Sequence, residues 1–201
     1  MSYPNESSKT DRQLVENILN GDTHAFGILI KNTEGLVSQM VFKMINSPAD
    51  RKDIAQDVYL KVFKNLSGFR FQSKLSTWIG QITYNRCLQY LEKKKVVLMD
   101  NFNDEDRDLS DKFQQKESIA ERNETEKIMQ GKDLSGILAA ELDKLTPIYK
   151  TMISLYHQED LSYHEIAEIT SLPEGTIKSY LFRARKQLKE NILSRYKREE
   201  L

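Results

Sequence analysis

With only one cysteine, Cys87, the chain cannot close a disulfide within itself, so packing alone must hold its fold. Eight glycines and four prolines in 201 residues are too few for the frequent turns of a sandwich or small barrel. No apolar run approaches the ~20 residues that span a bilayer, and residues 1–8 carry no apolar signal core. A reducing, cytoplasmic setting is the expectation. Net charge is absent as well, at a formal value of zero, which argues against a uniformly basic coat. What remains is a chain 30% charged and 39% hydrophobic, the balance of amphipathic helices. The expected fold class is all-α, with two small helical domains joined by a flexible acidic linker and a helix-turn-helix in the C-terminal one.

The zero charge is an average over unlike segments. Lys and Arg outnumber Asp and Glu by 14 to 9 over residues 1–95, fall behind by 6 to 11 over 96–134, and balance at 10 each over 135–201. Within the last segment, residues 174–198 hold eight basic side chains against Glu174 and Glu190. Such a concentration on one element is the footprint expected of a nucleic-acid contact, although a charge run taken alone is more often a solvated helix face.

The first half reads as four helices. A short one around Leu14, Val15, Ile18 and Leu19 follows Asp11 and stops near Gly21. A longer stripe runs from Phe26 to Met44, a third helix begins at Asp50 with Ile54, Val58, Val62, Phe63 and Leu66, and a fourth spans about Ser76 to Lys95. Ser67 to Leu75 is an irregular loop, and Trp78, in helical register with Ile82, is expected in the core. Residues 100–133 are too polar to bury a face and read as the linker. The expected domains are therefore 1–97 and 135–201, with 98–134 between them. Leu138, Leu142 and Leu145, then a helix opened by Pro147, form an apolar base for the C-terminal motif.

Ser162-Tyr-His-Glu165 is a capping box, and Ser171-Leu-Pro-Glu174 can form a second one after a tight turn. Ile177, Leu181, Ala184, Leu188 and Ile192 recur at steps of four, three, four and four, so they lie on one inward stripe. The opposite face carries Lys178, Ser179, Phe182, Arg183 and Lys186. Arg and Lys can donate to guanine edges, Ser to base or phosphate, and Phe can pack on a thymine methyl, so this second helix is expected in the major groove.

Leu161-Ser-Tyr-His-Glu-Ile-Ala-Glu168 and Leu172 through Leu188 resemble region 4 of the extracytoplasmic-function (ECF) sigma factors of bacterial RNA polymerase. Lys52 through Leu60 is similar to the family's region 2.2, and Phe69-Arg70 with Ser76 through Asn85 to its region 2.3. The resemblance implies a transcription initiation factor with no catalysis, cofactor, metal or small-molecule substrate of its own. Asp53, Gln56 and Asp57 would bind the clamp helices of the largest subunit of core RNA polymerase. Phe69, Arg70, Phe71, Lys74 and Asn85 would hold the opened minus-ten strand of promoter DNA, with Arg86, Lys93, Lys94 and Lys95 near its phosphates. It also implies an anti-sigma partner, possibly membrane-bound, and a linker whose acids thread toward the RNA path. Tyr180 stands where the family commonly has arginine, and Tyr84 follows a threonine where alanine is frequent. Two rival readings stay open: a stand-alone helix-turn-helix regulator, and a sigma mimic that binds only an anti-sigma protein.

Other chemistry lacks its residues. His164-Glu-Ile-Ala-Glu168 has a glutamate where a zinc-protease helix needs its second histidine. Asp104, Asp106 and Asp108 alternate like a calcium loop, but Leu109 and Gln115 replace the required glycine and glutamate.

Overall fold

The computed structural model describes residues 6–99 and 134–195, and the acidic segment expected as linker lies outside them. Eight helices make up the described residues: α1 (Glu6–Leu19), α2 (Thr23–Met44), α3 (Pro48–Asn65), α4 (Leu75–Met99), α5 (Leu134–Leu142), α6 (Pro147–His157), α7 (Tyr163–Thr170) and α8 (Glu174–Arg195), with a 3-10 turn at Leu66–Gly68 after α3. α1 starts earlier than expected, because its first turns are polar and leave no apolar period to read.

Local chemistry sets the boundaries. Gly21, at φ 92°, takes the left-handed step out of α1. Asp22 then accepts from the amides of His24 and Ala25 at 2.9 and 3.1 Å, capping α2. Ser47 caps α3 ahead of Pro48, and Thr146 caps α6 ahead of Pro147, each proline occupying a position whose amide needs no partner. The capping box at Ser162 forms as the sequence implies, with both reciprocal bonds present. The second one does not form. Ser171 is instead the C-cap of α7, in the left-handed region at φ 58°, and α8 begins after Pro173.

α2 is the central element, packing on α1, α3, α4 and α6. Its buried residues include Leu29, Leu36, Val37, Met40, Val41 and Met44. α6 buries seven of its eleven residues, as a short helix must when neighbours cover it on most sides. Buried hydroxyls on these helices donate back to carbonyls one turn earlier, as Thr33 to Leu29 at 2.9 Å and Thr151 to Pro147 at 2.8 Å. Glu141, buried on α5, is met by Lys144 and by Arg195 of α8 at 3.8 Å.

Both expected groups of helices are present, and they share one core. α2 meets α6, and α4 meets α7, so Ile79 and Cys87 belong to the same buried cluster as Met152, Ile166 and Ile177. Gly80 makes the closest crossing possible: a β-carbon there would stand 3.0 Å from the Cδ1 of Ile169 and 3.5 Å from the Cδ2 of Leu36. No helix among the described residues is long and apolar enough to cross a membrane.

Candidate nucleic-acid interface

Ile177, Leu181 and Ala184 bury one side of α8 against α6 and α7, and this fixes what the other side presents. Lys178, Ser179, Phe182, Arg183 and Lys186 are all exposed on it, Phe182 to 68%. An aromatic ring so open to water is available for contact with another molecule's apolar group. Lys178 lies over the Tyr163 ring at 5.4 Å, and Lys186 sits 3.9 Å from Glu190. The Ser179 hydroxyl donates to the Gly175 carbonyl at 2.9 Å, which leaves its oxygen free to accept. Tyr180 turns away from this face. It is half-buried, with its ring edge-on to Tyr149 at 6.1 Å, so it does not stand among the exposed cations of this face.

The loop ahead of α4 is built on aromatics. Phe71 adopts the left-handed backbone at φ 57°, unusual for a bulky residue, and its ring meets Phe69 at 4.7 Å. Phe69 in turn meets Trp78 at 5.1 Å, and the Arg12 guanidinium covers Phe71 from α1. Asp11 accepts from the Leu75 amide at 3.1 Å and so fixes the start of α4. One expectation needs correction here: Phe69 is only 8% exposed, and a ring enclosed by Phe71 and Trp78 supports the loop rather than receiving a base. Trp78 packs on the core while remaining half-exposed to a cleft of about 450 Å³, whose walls include Arg70 and Thr77 on one side and Ala167, Glu168 and Ser171 on the other. Arg70 and Asn85 are exposed.

Two expected cations are engaged. Lys74 pairs with Glu165 of α7 at 2.7 Å, and Arg86 binds Asp57 through two nitrogens at 2.5 and 3.1 Å. Burial alone would raise the Glu165 carboxyl, but Lys74 and the Ser162 amide and hydroxyl outweigh it and hold the group down to about 2. A carboxylate depressed from its ordinary 4.5 contributes stability that is present above that value and lost as pH falls toward 2. An acid titration followed by Trp78 fluorescence should therefore lose stability across that interval. Glu165→Gln should remove this part of the dependence, and an unchanged acid limb would assign it to other carboxylates.

On α3, Asp53 and Gln56 are exposed, while Asp57 is half-exposed and already committed to Arg86. Two further residues, absent from the sequence-based expectation, continue this face. Leu60 and Phe63 are each 58% exposed, and with Asp53 and Gln56 they recur at steps of three, four and three. Apolar spacing groups Phe63 with Val62, but a helix turns 100° per residue and carries Phe63 outside the buried stripe of Ile54, Val58 and Val62. Its ring meets Phe26 edge-on at 5.2 Å. Behind this face, Tyr90 of α4 donates to Asp50 at 2.5 Å, which holds the Asp50 carboxyl low and pushes the Tyr90 hydroxyl up to about 12.

Comparison with known proteins matches two parts of the chain to one family. Residues 29–96 match the family described as Sigma-70 region 2, and residues 135–188 match Sigma-70, region 4. Among curated relatives, the ECF RNA polymerase sigma-E factor of Escherichia coli (strain K12) is 29% identical over 183 residues, 91% of this chain and 94% of the relative. The protein of the same name from Haemophilus influenzae is 29% identical over 184 residues, 91% and 95% of the two chains. Among solved structures, CnrH in complex with the cytosolic domain of CnrY aligns at a TM-score of 0.60 and 18% identity, covering 92% of this chain and 99% of that one. RpoE in complex with the anti-sigma factor NepR from Bartonella quintana aligns at 0.60 and 20% identity, covering 85% and 98%. These two likenesses concern the fold.

Proposed function

Since the chain belongs to the ECF sigma factors of the sigma-70 family, we propose that it is a transcription initiation factor that directs core RNA polymerase to specific promoters. Residues 1–97 would dock on the polymerase through the α3 face and hold the opened minus-ten strand. Residues 135–201 would read the minus-35 element through α8, with 98–134 joining the two. The observation that carries this reading is the pairing, on one chain and in family order, of the exposed α3 stripe with the exposed recognition face of α8. A stand-alone regulator would have no use for the first.

The residues divide the work by their chemistry. Asp53, Gln56, Leu60 and Phe63 offer a helix face with polar and apolar parts, suited to docking along another helix. Arg70 and Asn85, with the cleft at Trp78, offer a cation, an amide and an aromatic wall, which is what a splayed base and its phosphate require. Lys178, Ser179, Phe182, Arg183 and Lys186 supply base-edge donors, an apolar contact and phosphate partners. None of these groups breaks or makes a bond, and the polymerase supplies the catalysis in the cytoplasm where it works. The solved relatives CnrH and RpoE were captured with CnrY and with the anti-sigma factor NepR, and an anti-sigma partner is proposed here as well.

Run-off transcription with purified core polymerase on a pool of promoter fragments tests the reading. The chain should yield discrete start sites that polymerase alone does not, and a pool in which no promoter opens would overturn it. Within that assay, Arg183→Ala should cost about 1 to 3 kcal/mol at one position of the upstream element. Equal loss on every sequence would make Arg183 a phosphate contact instead.

A further inference from the structure

Beside the recognition face of α8, three helices meet in a stack of aromatic and cationic side chains. Tyr156, near the end of α6, lies flat on Tyr163, the first residue of α7, with ring centres 5.0 Å apart and planes 11° from parallel. Two cations of α8 close the stack. Lys178 stands over Tyr163 at 5.4 Å, and the Arg185 guanidinium over Tyr156 at 5.2 Å. They are two helical turns apart, so they line one edge of the exposed face, with Phe182 between them along the axis. Lys178 belongs to the recognition set expected from the sequence. Arg185 does not.

Arg185 differs from its neighbours in having a second hold. Its Nε and Nη2 approach the Nε2 of His157 at 3.3 and 3.0 Å, and the imidazole meets the Tyr156 ring edge-on at 4.9 Å. An arginine can only donate, so His157 must accept at Nε2 and carry its single ring proton on Nδ1. The pairing therefore exists only while the imidazole is neutral. A proton on Nε2 would remove the acceptor and leave two positive groups at hydrogen-bond distance. Around the imidazole, Asp160 on the turn after α6 favours the charged ring, but partial burial and then Arg185 outweigh it and lower His157 from its ordinary 6.5. The Tyr156 hydroxyl is raised, chiefly by its hydrogen bond to Tyr163, and stays neutral where a histidine titrates.

A cation on the edge of a DNA-reading helix is where a backbone phosphate arrives, and a guanidinium forked onto a phosphate cannot keep both of its nitrogens on His157. We propose that His157 is a positioning residue for DNA binding, acting through Arg185. Neutral, it stows the guanidinium against Tyr156. Protonated at Nε2, it releases Arg185 to a phosphate of the duplex and adds its own charge beside it. Proton and duplex then favour each other's binding by the same factor. DNA affinity accordingly rises as pH falls through the range in which His157 titrates, and the added phosphate contact steepens the dependence on salt. This rests on the reading of α8 as the DNA contact.

The probe is a labelled random-sequence duplex, titrated with the full-length chain at constant ionic strength and followed by fluorescence anisotropy. The wild type should bind about tenfold tighter at about pH 5.5 than at about pH 8, with a salt slope steeper by about one phosphate contact. His157→Gln keeps an amide oxygen that accepts from Arg185 but does not titrate, so it should lose the pH dependence and bind as the wild type does at about pH 8. His157→Ala should lose it too, yet bind severalfold tighter than the wild type at about pH 8, because Arg185 is no longer held back. A side chain that only supported the fold would weaken binding instead. His164→Gln, on α7 between Glu168 and Glu174 at 3.7 and 3.5 Å, should keep the wild-type profile. A pH dependence that survives His157→Gln, or His157→Ala binding no tighter than the wild type at about pH 8, would overturn the proposal. A wild type that binds the duplex at no pH would refute the DNA reading of α8 rather than the pairing. The imidazole resonances of the free chain then decide the pairing: His157 should titrate higher in Arg185→Gln than in the wild type, and equal titration would overturn it.

Discussion

Replacing Leu60 and Phe63 together with aspartate should weaken capture of core RNA polymerase by at least about a hundredfold, while the helices remain folded. Both side chains are more than half exposed, so the chain's own core does not depend on them. Large apolar groups in water on the same stripe as Asp53 and Gln56 have a reason to exist if another surface covers them. Burying a leucine or phenylalanine side chain contributes about 1.5–3 kcal/mol, so two would supply ~3–6 kcal/mol, or roughly two to four orders of magnitude in affinity. Introducing two carboxylates into that contact would add a desolvation cost. Some stability should also go, because the Phe63 ring rests edge-on against Phe26, a pairing that contributes about 0.5–1.5 kcal/mol. Binding to immobilised core polymerase and a thermal melt separate the two effects. Leu19→Asp, which alters another exposed apolar residue on α1, should leave polymerase affinity unchanged. If the α3 variant still binds as tightly as the wild type, the docking surface lies elsewhere.

Phe63 also marks how far a sequence can be read. The existence of α2, α3, α4 and α8 follows from apolar spacing, and Ile54, Val58 and Val62 are buried where that spacing puts them. Apolar identity alone cannot distinguish a core position from a docking position one residue later. Loop geometry is hidden for a different reason. Nothing in Phe69-Arg-Phe71 announces that Phe71 takes a left-handed backbone, and that turn is associated with the enclosure of Phe69. Ser171 reads as an N-cap because its hydroxyl has a glutamate three residues on. The same residue types cap both kinds of end, and the left-handed φ decides. The junction is the least legible part. Lys74 and Glu165 lie 91 residues apart, and a glycine inside a helix, Gly80, is its only local trace.

That junction sets the second large effect. Ile169→Ala should destabilise the protein by about 2–5 kcal/mol, the range for truncating a fully buried aliphatic side chain. Its distinguishing feature is where the loss is felt. Ile169 belongs to the C-terminal helices, but its terminal carbon is the atom nearest to where a Gly80 side chain would be, and Leu36 stands beside them. The lone tryptophan, Trp78, lies two residues before Gly80 on α4, where its ring meets Phe69 of the N-terminal helices and also faces the cleft toward α7. With a shared core, urea unfolding followed by Trp78 fluorescence should shift to lower denaturant together with the loss of helical circular dichroism, in one transition. If the two halves were held only by their own cores, truncation at Ile169 would leave the Trp78 midpoint where it was and split the helical signal in two. The same measurement therefore ranks two energies: the cohesion within each group of helices and the cohesion between them. A common midpoint that moves with Ile169 requires the second to be large enough that α7 does not leave α4 before the chain unfolds.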